Sequence, residues 1–147
     1  MDQLTLDYEE RTVIAVPAPA AGAGVTVQVP ESETQQLVAV RLRLVTSAVV
    51  ASRTPIVSIL GGDGISIADS VAGFALTAAS TADFSFILGL GEWDAAGGVF
   101  ASGPCPTIPL LAGDSIQIQV QAIDAGDQLS RIRLTLLQAP VADDPRS

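Results

Sequence analysis

The stretch Val40-Arg41-Leu42-Arg43-Leu44 alternates apolar and charged residues with a period of two, and that period decides most of what the chain can fold into. On a strand the three apolar side chains point one way and both arginines the other. On a helix the same residues would spread around the axis and drive an arginine into the core. The alternation recurs. Ile116, Ile118 and Val120 alternate with Gln117, Gln119 and Gln121; Ile132, Leu134 and Leu136 with Arg131, Arg133 and Thr135. Phe84, Phe86 and Leu88 are interleaved with Ser85 and Ile87, and Val25, Val27 and Val29 with Thr26 and Gln28. Shorter strand-like pieces lie at 11–16, 56–60, around Ile65 and Ile67, at 74–77 and at 108–111.

Gly61-Gly62-Asp63-Gly64, Ala112-Gly113-Asp114 and Asp124-Ala125-Gly126-Asp127 read as turns, and 89–103 as a long glycine-rich loop. Eight or nine short strands with turns at fairly even spacing, and no segment of helical period, predict an all-β fold. The expected architecture is an antiparallel β-sandwich with jelly-roll-like connections and one wet face per sheet. Val40, Leu42, Leu44, Ile118, Val120, Leu134 and Leu136 are the expected core.

A chain of 147 residues fits one domain and can bury a real core. The expected organisation is an extended N-terminal arm at 1–24, a sandwich at 25–140 and a polar tail at 141–147. The arm is acidic at its front, and its Pro17-Ala-Pro-Ala-Ala-Gly-Ala-Gly24 stretch favours extension. Between them, 11–16 has two possible placements. It adds to a neighbouring subunit's sheet, with Val13 or Ile14 filling a pocket there, or it forms an edge strand of its own domain.

The sequence has no histidine and no lysine, and Cys105 is its one cysteine. That removes His-containing catalytic triads, cysteine–histidine zinc spacings and Schiff-base chemistry. Carboxylate pairs remain, drawn from Asp63, Glu92, Asp94, Asp114, Asp124 and Asp127, but most sit beside glycine in turns, where Asp serves the backbone. Asp124 and Asp127 lack the oxygen-rich alternation of a calcium loop. Gly89-Leu-Gly91 and Gly61-Gly62 open no helix and so make no phosphate site.

The expectation is a protein that is no enzyme, with no catalytic, cofactor-binding or metal-binding residue and no cofactor. A formal charge of −9 argues against nucleic-acid and anionic-membrane partners. Cys105, between two prolines, reads as a small buried apolar side chain. The start Met-Asp-Gln-Leu-Thr-Leu has neither the basic nor the apolar block of a secretory leader, so synthesis in a reducing cytoplasm is expected.

What remains as candidate partner-binding residues are Val13 and Ile14, Trp93 in the glycine-rich loop with Phe100, and the outward pairs Arg41 with Arg43 and Arg131 with Arg133. If their two strands are neighbours, the four arginines form one patch, and arginine is enriched at interfaces. Trp93 either covers an open end of the sandwich or makes a protein contact.

Leu44-Val-Thr-Ser-Ala-Val-Val-Ala-Ser-Arg53, followed by Thr54-Pro-Ile-Val-Ser-Ile, resembles an early strand pair of small jelly-roll virion proteins of tailed bacteriophages. Leu111-Ala-Gly-Asp-Ser-Ile116 and Ala125-Gly-Asp-Gln-Leu-Ser-Arg-Ile-Arg-Leu134 resemble the closing strands of the same proteins. The resemblance covers about 25–138 by order of features. It implies a capsid cement or decoration protein that assembles as a homodimer or homotrimer on the outer surface of the virion. There it binds the major capsid protein lattice and stabilises contacts between capsomers. Such a protein is made in the host cytoplasm, and no active-site residue carries over. The alternative is a carbohydrate-binding β-sandwich module associated with a tail or fibre.

Overall fold

The computed structural model describes residues 10–28, 34–73, 75–87, 99–104 and 109–139. Nine strands follow in chain order: β1 (Glu10–Val16), β2 (Val25–Gln28), β3 (Thr34–Val45), β4 (Thr54–Leu60), β5 (Ser66–Val71), β6 (Thr81–Ile87), β7 (Val99–Pro104), β8 (Ser115–Gln121) and β9 (Gln128–Ala139). They form two sheets, ordered β1-β9-β3-β6-β7 and β2-β8-β4-β5.

With β7 set aside, the pairings nest. β1 pairs with β9, β2 with β8, β3 with β6 and β4 with β5, all antiparallel. The first half of the chain therefore pairs with the second half in reverse order. One long antiparallel ribbon is rolled into two facing four-stranded sheets, which is a jelly roll. The expected sandwich is the fold observed. Among the described residues there is no helix.

β7 departs from the expectation. It occupies the end of the stretch read as a loop and joins the edge of the first sheet parallel to β6. The eleven residues 88–98 connect the two strands. The described parts of the strands expected at 74–77 and 108–111 are single bridges, Arg53 to Leu76 and Gln35 to Leu110.

β1 is hydrogen-bonded along its length to β9, from Glu10 opposite Gln138 to Val16 opposite Ile132. Of the two placements open to 11–16, it takes the edge strand of its own sheet. Its linker is also held: Gly22 N donates to Asp127 O at 2.7 Å, and Gln128 Nε2 donates to Pro19 O at 2.8 Å.

Every expected core residue is buried. Leu42, Val40 and Leu44 on β3 meet Phe84 and Phe86 of β6 and Leu134 and Leu136 of β9; Val57, Ile59, Ile116, Ile118 and Val120 close the core from the other sheet. The interior is almost wholly aliphatic, as a chain with 4% aromatics requires.

Two β-bulges adjust the register of β3 and β9. Between Leu37 and Ala39 the extra residue is on β3, and between Arg41 and Arg43 it is on β9. The second bulge is seated at Arg131, which has φ of 51°. It keeps Leu129 and Ile132 both inside, at 0% and 1% exposure, although strict alternation would turn one of them out.

Candidate functional site

The buried end of the sandwich carries a charged pair. Arg53 and Asp127 both have fully buried side chains, with Nε donating to Oδ2 at 2.9 Å. Arg53 Nη2 reaches Asp127 Oδ1 at 3.2 Å and Ser47 Oγ at 3.1 Å, and Nη1 donates to Ala51 O at 2.9 Å. Asp127 also accepts from the backbone N–H groups of Ser47 and Asp124, at 2.8 Å each. Burial alone would raise its pKa. The two backbone donors and then the Arg53 guanidinium outweigh that, and the carboxyl lies below its ordinary value.

A carboxylate saturated by four donors has no lone pair to spare for a substrate. It locks the loop after β3 to the turn before β9. The other described turn acids are similarly engaged. Asp63 accepts from Ile65 N, Asp114 from Leu111 N, and Asp124 from Gly126 N and Ser47 Oγ. Among the described residues no group of three or more potential ligands is placed to hold a metal ion.

The outer face of the first sheet is different. β3 and β9 are neighbours, so the condition for one arginine patch is met. Cross-strand register builds the rows. Ala15, Arg133, Arg41 and Ser85 stand side by side across β1, β9, β3 and β6. The next row is Val13, Thr135, Ala39 and Ile87, and beyond it Arg11, Leu137 and Gln36. On the other side Arg43 lies opposite Asp83, and its Nε and Nη2 donate to the two carboxylate oxygens at 2.7 and 3.1 Å. Those bonds, against partial burial and helped by the charges of Arg43, Arg131 and Arg41, hold the Asp83 carboxyl below its ordinary range.

Five of the seven arginines therefore share one face: Arg11, Arg41, Arg43, Arg131 and Arg133. Of the other two, Arg53 is buried and Arg146 lies outside the described residues. Arg41, Arg131 and Arg133 line a shallow depression of about 260 Å³ with Asp83 and Ser85. Arg41 and Arg133 are directly opposed like charges, an arrangement that destabilises a sheet by about 0.2–1 kcal/mol. Arg131 adds backbone strain, since a non-glycine residue in the left-handed region costs about 1–2 kcal/mol. A valine there, with a stiff branched Cβ, should lower stability by about 1–3 kcal/mol. Arg131→Gly, free of that strain, should shift it by under about 1 kcal/mol. Urea midpoints of the two variants check the bulge; equal losses contradict it.

The outer face of the second sheet holds the opposite charge. Thr26, Gln117, Ser58 and Asp69 form one row across its four strands. Asp69 accepts from Ser58 Oγ at 2.6 Å and Ser66 Oγ at 2.7 Å. These bonds, chiefly that of Ser58, keep its carboxyl below the ordinary value. No described arginine lies on this face.

The sequence singled out four of the five patch arginines and missed Arg11, Asp83 and the partner of Arg53. Val13 is 56% exposed and borders the arginine rows, whereas Ile14 turns inward and packs against the core. Trp93, Tyr8, Glu92, Asp94 and Cys105 lie outside the described residues, as does the side chain of Phe100.

No protein-family model matches the chain, and no curated protein is similar to it. Solved structures do match. A chain of the T13 particle of infectious bursal disease virus is similar over 90% of this chain and 32% of its own length, at 12% identity and a TM-score of 0.48. A chain of the Gt strain of that virus matches over 90% and 34%, at 14% identity and a TM-score of 0.46. A chain of T=1 particles derived from the same virus matches over 90% and 32%, at 12% identity and a TM-score of 0.42. The present chain thus spans about a third of the length of the chains it matches. With these TM-scores below 0.5, the jelly-roll assignment stands on the nested strand pairings and not on the likenesses.

Proposed function

We propose that the chain is a structural virion protein, a capsid cement or decoration protein that binds the outer surface of a tailed-phage head and stabilises contacts between capsomers. The observation that carries this reading is the segregation of charge. A chain of net charge −9 gathers its described, exposed arginines on one sheet face. A face of that kind is suited to docking, and the rest of the surface keeps the protein away from packaged nucleic acid. The resemblance of the Leu44–Arg53, Leu111–Ile116 and Ala125–Leu134 stretches to phage jelly-roll proteins supplies the identity of the lattice. Many weak copies on a repeating lattice bind strongly as an array, and assembly as a homodimer or homotrimer would raise that avidity further. On this reading the chain is no enzyme, since its described turn acids serve backbone, hydroxyl and guanidinium donors.

The test is to add purified chain to phage heads that lack it. Saturable co-sedimentation and a higher temperature of DNA release are expected. A chain that stays in the supernatant at every concentration contradicts the proposal.

A second reading, a carbohydrate-binding module of a tail or fibre, is favoured by one feature. The second sheet's outer face holds a depression of about 460 Å³ lined by Gly24, Ile56, Gln119, Gln121 and Ile123 among others, where amides are placed for sugar hydroxyls. Glycan-array binding that Gln119→Ala abolishes would favour it over the capsid reading.

A further inference from the structure

We propose that the outer face of β9, β3 and β6, centred on Arg41, Arg131 and Arg133, docks onto a protein surface that presents clustered carboxylates beside aliphatic side chains. This names the partner chemistry of the docking face and so rests on the structural-protein reading above.

Charge complementarity favours such a partner. Among the described residues five arginines face one carboxylate, Asp83, which Arg43 already holds with both oxygens. The guanidinium groups of Arg41, Arg131 and Arg133 make no hydrogen bond or ion pair to a described residue. Among the described residues nothing takes up these donors, and carboxylates match the guanidinium fork two bonds at a time.

Local strain at the patch favours an occupant as well. Opposed like charges at Arg41 and Arg133, and a left-handed backbone at Arg131, disfavour the isolated face. A dianionic occupant between the guanidinium groups relieves the first and makes use of the second, because the bulge places a third arginine beside the pair.

The neighbouring apolar row favours a protein over a nucleic acid. Alongside the arginine row runs the row Val13, Thr135, Ala39 and Ile87, with Val13 56% exposed. Arginine next to aliphatic surface is the composition of a protein interface. A polyphosphate strand would run off this patch onto a chain of net charge −9, whereas a compact acidic patch stays within about 8 Å of the guanidiniums, where attraction survives physiological salt.

The experiment measures binding of the full chain to an immobilised peptide of repeating Val-Glu-Leu-Glu, at low and physiological salt. The unmodified chain should bind, more weakly as salt rises. The double variant R41S/R133S should lose about a hundredfold in affinity, as two charge-assisted bonds imply. Its melting temperature should be unchanged or higher, because the like-charge contact is gone. Arg→Lys at both positions should restore part of the binding.

Unchanged peptide binding by R41S/R133S overturns the proposal. So does displacement of the peptide by inorganic phosphate but not by chloride of equal ionic strength, which would make the depression a phosphate site. Self-association that R41S/R133S abolishes overturns it in favour of a second copy. If the chain fails on the peptide yet still co-sediments with phage heads, the partner chemistry is wrong and the structural reading stands. If it fails on both, the structural reading goes with it.

Discussion

Replacing Asp127 by alanine should destabilise the fold by about 3–5 kcal/mol, as breaking one side of a buried ion pair does. The loss comes from what is left behind. Arg53 would keep its charge at 0% exposure with Ser47 Oγ and Ala51 O as its remaining acceptors. The backbone N–H groups of Ser47 and Asp124 would lose their acceptor as well, and an unmet buried donor costs about 1–3 kcal/mol. The double variant R53M/D127N should lose less than the two single changes together, with a coupling of about 0.5–3 kcal/mol. Additive losses in chemical denaturation would mean that the pair does not act as a unit.

The same carboxylate should contribute to the acid sensitivity of the fold. Its pKa is depressed in the folded state, so the stabilisation is fully present above the ordinary value of 3.8. It is lost as pH falls from there through the folded value. Asp124, depressed chiefly by the Gly126 N–H and then by Ser47 Oγ, adds in the same direction. Melting temperature should therefore drop steeply below about pH 4, and less steeply in R53M/D127N, which has lost the titrating group. Identical pH profiles would contradict the linkage.

Phe84→Ala is the second large effect, with an expected loss of about 3–5 kcal/mol. Phe84 is 0% exposed, opposite Leu42 on β3, and lines the arginine depression. In an aliphatic core a missing ring is not refilled by neighbours of similar shape, so a cavity term adds to the lost transfer energy. Val50→Ala is the matched control: at 91% exposure it should change stability by less than about 0.5 kcal/mol. Comparable losses from both would mean that the buried face has been misassigned.

The strands that alternate cleanly were legible because side-chain facing in a strand depends only on residue parity. Leu42, Ile118 and Leu134 fall on the core side for that reason. Parity breaks where a bulge inserts a residue. The spacing from Leu129 to Ile132 is three, and that signal was present in the sequence, but only the pairing partner shows which residue is extruded. The pairing of Arg53 was not legible because its counter-charge lies 74 positions away, a distance no local pattern encodes. β7 escaped notice because a glycine-rich stretch has no alternation, and its place was decided by the free edge of β6. The arginine patch was visible as two pairs. Its fifth member, Arg11, needed the pairing of β1 with β9 to bring it onto the same face.

The most direct test of the central claim is an electron cryomicroscopy reconstruction of phage heads decorated with this chain. The account predicts jelly-roll density on the outer surface, bridging neighbouring capsomers. The face of β9, β3 and β6 should lie against the lattice, and the row of Thr26, Gln117, Ser58 and Asp69 should face solvent. Heads without that density, or density with the Asp69 face against the capsid and the arginines in solvent, would contradict it.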